Sequence, residues 1–435
     1  MPVSRYHAQY AWLGAAEPAR DVLIEVLDGV IASVTPQSPP DGTRLPGLTL
    51  PGLANVHSHA FHRALRGRTE SGLGTFWTWR ERMYEVAGRL DPDSYYRLAR
   101  ATYGEMALAG ITCVGEFHYV HHAPDGTPYG DPNAMGHALL AAARDAGIRI
   151  TLLDVLYLTS TVDGAPLVGP QIRFGDGSID AWTARIEVLK PGTGARIGVA
   201  AHSVRAVPAY ALAELPADRP LHIHLSEQRA ENAACQARYG CSPTELLHSH
   251  GLLGAQTTAI HATHLSDVDR TLLGDTGTGV CFCPTTERDL ADGIGPARAL
   301  LDSGSPLSLG SDSHAVIDLF EEARAVELDE RLRTERRGHF TAEELLTSAT
   351  VTGHRALGWS DAGRIAPGCR ADLVTVDLDS VRTTGAEPLA AAVFAATAAD
   401  VTHVVIDGRP IVADRRHTTL DVPADLRSAI AAVTS

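Results

Sequence analysis

The sequence predicts an α/β fold: a (β/α)8 barrel of the TIM type, with a small β-sandwich built from both chain termini. Three observations lead there. Eight short apolar runs of strand length lie between Leu53 and His314, separated by segments with the i, i+3, i+4 spacing of helices that cover a sheet. Strict alternation repeated eight times favours a closed barrel over an open sheet. The ends break this pattern, because DVLIEVLDGVIASV and VTHVVIDGRPIVAD are alternating strands around an Asp-Gly turn, the signature of a hairpin.

Taken in order, residues 1–50 supply the first half of the sandwich and residues 51–362 the barrel. The barrel runs are LANVHSH, ITCVGEFHYV, IRITLLDVLY, ARIGVAAHS, PLHIHLSEQ, TTAIHATHL, TGVCFCPTTE and PLSLGSDSH. Between them, DSYYRLARATYGEMALAG and NAMGHALLAAARDAG read as helices. After the eighth run, TAEELLTSA reads as a helix opened by a capping box of Thr341 and Glu344. Residues 363–435, with ADLVTVDLD, return to the sandwich. Neither half-sheet is long enough to be stable alone, so the two are expected to pair.

Composition narrows the function. A chain of 435 residues that is 44% hydrophobic and 20% charged is globular. Its 37 Lys plus Arg against 52 Asp plus Glu leave a net charge of −15, which repels nucleic-acid phosphates and anionic membrane surfaces. An anionic substrate would then need a few arginines placed locally. No apolar run approaches the roughly 20 residues of a membrane helix. Six scattered cysteines and a start, MPVSRYHAQY, without signal-peptide features give a cytoplasmic location as the expectation. The one lysine, Lys190, sits in VLKPG. That context excludes a phosphate-binding Gly-Lys-Ser/Thr loop and disfavours a lysine-bridged second metal.

The chemistry lies in polar residues at the ends of strands that should be apolar throughout. His57 and His59 close the first run, His224 and Glu227 the fifth, His261 the sixth and Asp312 the eighth. The C-terminal rim of such a barrel is where active sites form, so four segments converge. His57 and His59, two apart on a strand, share a face and can hold one ion. His222 and His224 share a face too, and His224 is nearer the rim. With Asp312 this makes a His3Asp site for one divalent ion, a donor set that suits zinc, iron or manganese. Such an ion lowers the pKa of its water to about 7, for attack on an sp2 carbon. Glu227 and His261 remain as acid and base beside that water, with Asp312 orienting it. His118, His121, His122, His248 and His264 read as core or surface histidines, and the Cys281/Cys283 pair as small core residues.

VHSHAFHR, HIHLSE, IHATH and LGSDSH resemble the metal-dependent amidohydrolase superfamily in its one-metal deaminase branch. FWTWRERMY, EFHYVHH and AHSVRAV extend the similarity, over nearly the whole chain, to the formimidoylglutamate deiminase family of histidine degradation. That resemblance implies zinc-dependent hydrolysis of N-formimino-L-glutamate to N-formyl-L-glutamate and ammonia. It implies His57, His59, His224 and Asp312 as zinc ligands and Glu227, His261 and Asp312 as proton-transfer groups. It also implies Arg80, Tyr119, His202 and Arg205 as substrate contacts, which agrees with the charge argument for a small-molecule dicarboxylate. The family pattern carries Gln where this chain has His62, so His62 is a candidate substrate and specificity residue. The rival readings are a deaminase of a neutral ring, which would want stacking aromatics rather than two arginines, and a non-catalytic scaffold. A homodimer is the expected assembly.

Overall fold

All eight runs form strands of one parallel sheet. They span Leu53–Ser58, Ile111–His118, Arg149–Leu156, Ala195–Ala201, Leu221–Leu225, Thr257–His261, Gly279–Phe282 and Leu307–Leu309, hydrogen-bonded in sequence order. Every residue of the first three is buried, as befits strands covered on both faces. The computed structural model describes residues 3–69, 76–216 and 218–434.

The first and eighth strands close the ring. A parallel bridge joins Ser58 to Asp312. Asp312 N donates to His57 O at 2.9 Å, and His59 N donates to Asp312 O at 3.3 Å. Gly310 permits this approach: a Cβ there would lie 2.8 Å from His57 Cβ and 2.9 Å from Cys283 Sγ. The seam of the barrel therefore runs through three of the four sequence-predicted ligands, His57, His59 and Asp312.

Helices cover the outside. Pro92–Leu108 opens with a reciprocal cap between Asp91 and Ser94 and buries Leu98, Ala99 and Met106. Ala134–Ala146 stops at Gly147, whose φ of 78° ends the helix. Thr341 and Glu344 form the expected capping box of Ala342–Thr347. Among the described residues no helix is long and apolar enough to cross a membrane.

The two termini join edge to edge in one eight-stranded sheet. Thr43–Pro51 pairs antiparallel with Leu373–Val376, placing Leu50 opposite Val374. Both Asp-Gly turns carry two positive φ angles, 52° and 80° at Asp28 and Gly29, 48° and 70° at Asp407 and Gly408, the geometry that suits twisted hairpins. The sheet folds back on itself where Ile31 N donates to Cys369 O at 2.8 Å and Ala371 N to Gly29 O at 2.9 Å. Its inner face packs Tyr6, Ile24, Leu45, Leu373 and Val405. The last helix, Val422–Thr434, leaves the sheet and returns to the barrel, where Val422 and Leu426 pack on Ala101.

One buried ion pair fastens sheet to barrel. Arg149, at the start of the third barrel strand, grips the Asp372 carboxylate through both terminal nitrogens, and each side chain is 1% exposed. Removing one partner of such a pair strands the other charge in the interior. Asp372→Ala is therefore expected to cost roughly 3–5 kcal/mol, read as a lowered urea midpoint. Arg149 Nη2 also donates to Asp407 Oδ1 at 3.1 Å, so a loss under about 1 kcal/mol would mean that Asp407 and water suffice for the guanidinium.

Candidate active site

Strand ends aim the polar side chains inward. His57 and His59 lie on one face, while Ser58 between them points away and donates to Glu116 Oε2 at 2.7 Å. The second oxygen of Glu116 accepts the Ala60 N–H at 2.7 Å. On the same outer side, Asn55 Nδ2 donates to Ser311 Oγ at 2.7 Å and Ser311 N donates back to Asn55 Oδ1 at 2.9 Å. Ser311 Oγ then lies 2.9 Å from His314 Nδ1, and His314 Nε2 lies 3.2 Å from Ser58 Oγ. This buried chain laces the first, second and eighth strands behind the inward-facing residues. Ser226 (φ 52°), His261 (φ 68°) and Asp312 (φ 41°) adopt left-handed backbone at the rim, each at a cost of about 1–3 kcal/mol that the packed barrel holds in place.

The four predicted ligands fall in two triads that share His57: His57, His59 and Asp312 in one, His57, His224 and His261 in the other. His57 Nε2 and His59 Nε2 each lie 3.4 Å from Asp312 Oδ1, and His224 Nε2 lies 3.1 Å from His57 Nε2. All four residues are buried. His59 Nδ1 faces Phe117 O at 3.0 Å and His224 Nδ1 faces His202 O at 2.9 Å. A carbonyl only accepts, so each Nδ1 carries the proton and each Nε2 turns a lone pair inward. Burial holds the His59 and His224 imidazoles well below their usual range, hence neutral. The lone pairs of His59 and His224 and the Asp312 carboxylate, all turned toward His57 Nε2, are a donor set that fits a divalent cation.

The remaining predicted residues surround this cluster. His261 Nε2 stands 3.6 Å from Asp312 Oδ2 and 3.8 Å from Glu227 Oε1. Burial lowers the basicity of His261, but Glu227, Glu287 and Asp312 outweigh it and push the imidazole well above its usual value. Asp312 shows the reverse balance: burial raises its pKa, yet His57, His261 and His59 draw it below the carboxylate range. A cavity of about 630 Å³, open mouth included, is lined by Arg80, Tyr119, His202, Arg205, Glu227 and Asp312, with His62 on its wall. His57 is fully buried and is not among the lining residues. Arg80 Nε donates to Tyr84 OH at 2.7 Å. Arg205 Nε donates to Glu231 Oε2 at 3.0 Å. His62 Nε2 pairs with Tyr119 OH at 3.1 Å, and burial pushes its pKa down to about 3. His62 stays neutral, and with its Nε2 turned to Tyr119 it belongs to neither triad.

Some participants carried no signal of their own. Glu287 Oε1 faces His261 Nδ1 at 3.2 Å, and Tyr84, Tyr157, Trp79 and Phe174 line the cavity. Cys281 and Cys283 are buried, and the Cys283 sulfur lies within 4.8 Å of the His261 and Asp312 ligand atoms. A second cluster, His118, His121 and Asp154, is equally tight. There Arg185 engages both Asp154 oxygens at 2.8 Å, so the charge a cation would need is already spent.

The sequence matches the model of the amidohydrolase family over residues 48–411. The chain belongs to the amidohydrolase family. This amidohydrolase is 38% identical, over 92% of its length and 92% of the relative's, to formimidoylglutamate deiminase of Pseudomonas aeruginosa. Its fold matches the crystal structure of an amidohydrolase from Brucella melitensis with a TM-score of 0.90 and 32% identity, covering 99% of this chain and 100% of that one. An adenosine deaminase from Xanthomonas campestris, crystallised with bound zinc, matches with a TM-score of 0.85 and 25% identity, over 98% and 97% of the two chains. The amidohydrolase is a hydrolase of carbon–nitrogen bonds, built on a barrel whose rim offers a metal site.

Proposed function

We propose that this amidohydrolase is a zinc-dependent formimidoylglutamate deiminase of histidine degradation, acting in the cytoplasm on N-formimino-L-glutamate to give N-formyl-L-glutamate and ammonia. The observation that carries the reading is one cavity holding two guanidinium groups, Arg80 and Arg205, together with the histidine–aspartate cluster. A dicarboxylate approaching a chain of net charge −15 needs such charge-assisted partners, each contributing on the order of 1.5–3 kcal/mol.

In this reading His57, His59, His224 and Asp312 hold the ion. When bound, it supplies Lewis acidity and brings the pKa of water to about 7. Asp312 takes the proton from the attacking water. Glu227, at the cavity wall, carries that proton to the formimino nitrogen. His261 donates from Nε2 toward the charge that develops as the formimino carbon becomes tetrahedral, with Glu287 accepting from Nδ1 behind it. The proton left on the added oxygen passes through the same carboxylates to the leaving nitrogen as the carbon–nitrogen bond breaks, so ammonia departs with both protons of the water and the formyl oxygen comes from that water. Tyr119, His202 and His62 border the substrate, and the His62–Tyr119 pair shapes the wall.

The test is ammonia release from N-formimino-L-glutamate beside N-formimino-L-aspartate and cytosine, with metal measured on the same sample. Turnover of the glutamyl compound alone is expected, and inactivity on both formimino acids would sink the assignment. The aromatic wall of Trp79, Tyr84, Tyr119 and Tyr157 favours the second reading, a ring deaminase, and cytosine turnover would establish it. Chelation is expected to abolish activity, with zinc restoring it. Full activity after complete metal removal would exclude the metal reading.

A further inference from the structure

Arg205 does not face the cavity alone. The carboxylate that accepts its Nε, Glu231 Oε2, also accepts the Ser226 main-chain N–H through Oε1 at 3.1 Å. Glu231 is 4% exposed and lies in the first turn of the helix Arg229–Tyr239. Ser226 sits between His224 and Glu227 in left-handed backbone, φ 52°. One buried side chain thereby ties the arginine after the fourth barrel strand to the turn after the fifth, which follows His224 and presents Glu227.

The arrangement constrains how Arg205 can act. A guanidinium offers a carboxylate two bidentate edges, Nε with one Nη, or both Nη groups. Glu231 occupies Nε, so only the Nη edge remains for a ligand. Ser226 depends on the same carboxylate, because its N–H has no other partner among the described hydrogen bonds.

We propose that Glu231 is a positioning residue that presents the Nη edge of Arg205 to a substrate carboxylate and, through Ser226, sets the aim of Glu227. Carboxylate recognition and proton transfer are coupled through this one side chain. The inference rests on the reading of Arg205 as a carboxylate contact.

Glu231→Gln is the informative change. A carboxylate serves both donors at once, whereas an amide has one accepting oxygen and must release either Arg205 Nε or Ser226 N. The experiment measures steady-state kinetics of the zinc-loaded enzyme, Glu231→Gln, Arg205→Met and the double variant. The substrates are N-formimino-L-glutamate and an N-alkylformamidine lacking carboxylates, and thermal midpoint and zinc content are measured in parallel. With N-formimino-L-glutamate, Glu231→Gln is expected to raise KM and lower kcat, each by about tenfold, with zinc content unchanged. With the alkylformamidine only kcat should fall. In the Arg205→Met background the KM effect should vanish while the kcat effect persists. A lowered thermal midpoint with unchanged kinetics would reduce Glu231 to a helix cap and overturn the proposal. So would a KM effect that survives in the Arg205→Met background. Arg205→Met raising KM while Glu231→Gln leaves it unchanged would overturn this inference alone. Arg205→Met leaving KM unchanged would overturn the reading of the cavity, and this inference with it.

Discussion

Asp312→Asn is expected to lower kcat for ammonia release by about 10³- to 10⁴-fold, with the fold and the cavity intact. The size follows from the two duties proposed for one carboxylate. Its Oδ1 lies 3.4 Å from both His57 Nε2 and His59 Nε2, and its Oδ2 lies 3.6 Å from His261 Nε2. An amide occupies the same volume but carries no charge and is a poor proton acceptor. Loss of acid–base transfer alone is worth about 10²- to 10⁴-fold, and weaker cation binding adds to it. The measurement is single-turnover ammonia release under excess zinc, which separates the two duties. Activity within tenfold of the parent at saturating zinc would leave Asp312 as a ligand only and move the base to Glu227.

Arg80→Met should act on the other half of the equilibrium. The KM for N-formimino-L-glutamate is expected to rise about 10- to 100-fold, the equivalent of one charge-assisted pair, while zinc content stays at the parent level. Methionine keeps the apolar stem and removes the fork, so a packing role would survive the change. Arg80 also donates to Tyr84 OH and lies with its guanidinium 5.1 Å from the centre of the Tyr84 ring. The variant therefore frees a phenol into the cavity as well as removing a charge. An unchanged KM would take Arg80 out of the site.

Much of this site is legible in the sequence because of where it is built. In a run such as LHIHLSE a histidine interrupts a strand that is otherwise apolar, and burial without a partner would be costly, so the interruption itself is a signal. The same logic exposes His57, His59, His261 and Asp312. Glu231 and Glu287 gave no such signal. Each sits in the first turn of a helix, where an acidic residue is the ordinary complement of the helix dipole and looks identical whether it faces water or an imidazole. Tyr84 and Tyr157 were hidden for the opposite reason, being apolar enough to pass as core. In the terminal sheet, pairing of the halves followed from their shortness. The fold-back through Ile31 and Cys369, and the return of Val422–Thr434 to the barrel, depend on long-range contacts that no local pattern carries.

The seam between the first and eighth strands has a bearing on how the protein is made. Two of the histidines and the aspartate come from opposite ends of the barrel's sequence, and the backbone bonds between His57, His59 and Asp312 are the ones that shut the ring. During synthesis, at about 5–20 residues per second, the first two histidines emerge well before the carboxylate that completes their set. No shorter stretch of the growing chain contains a finished metal site. On the proposed reading, the complete His3Asp set exists only in a molecule whose barrel has closed, and metal occupancy is expected to report on successful folding.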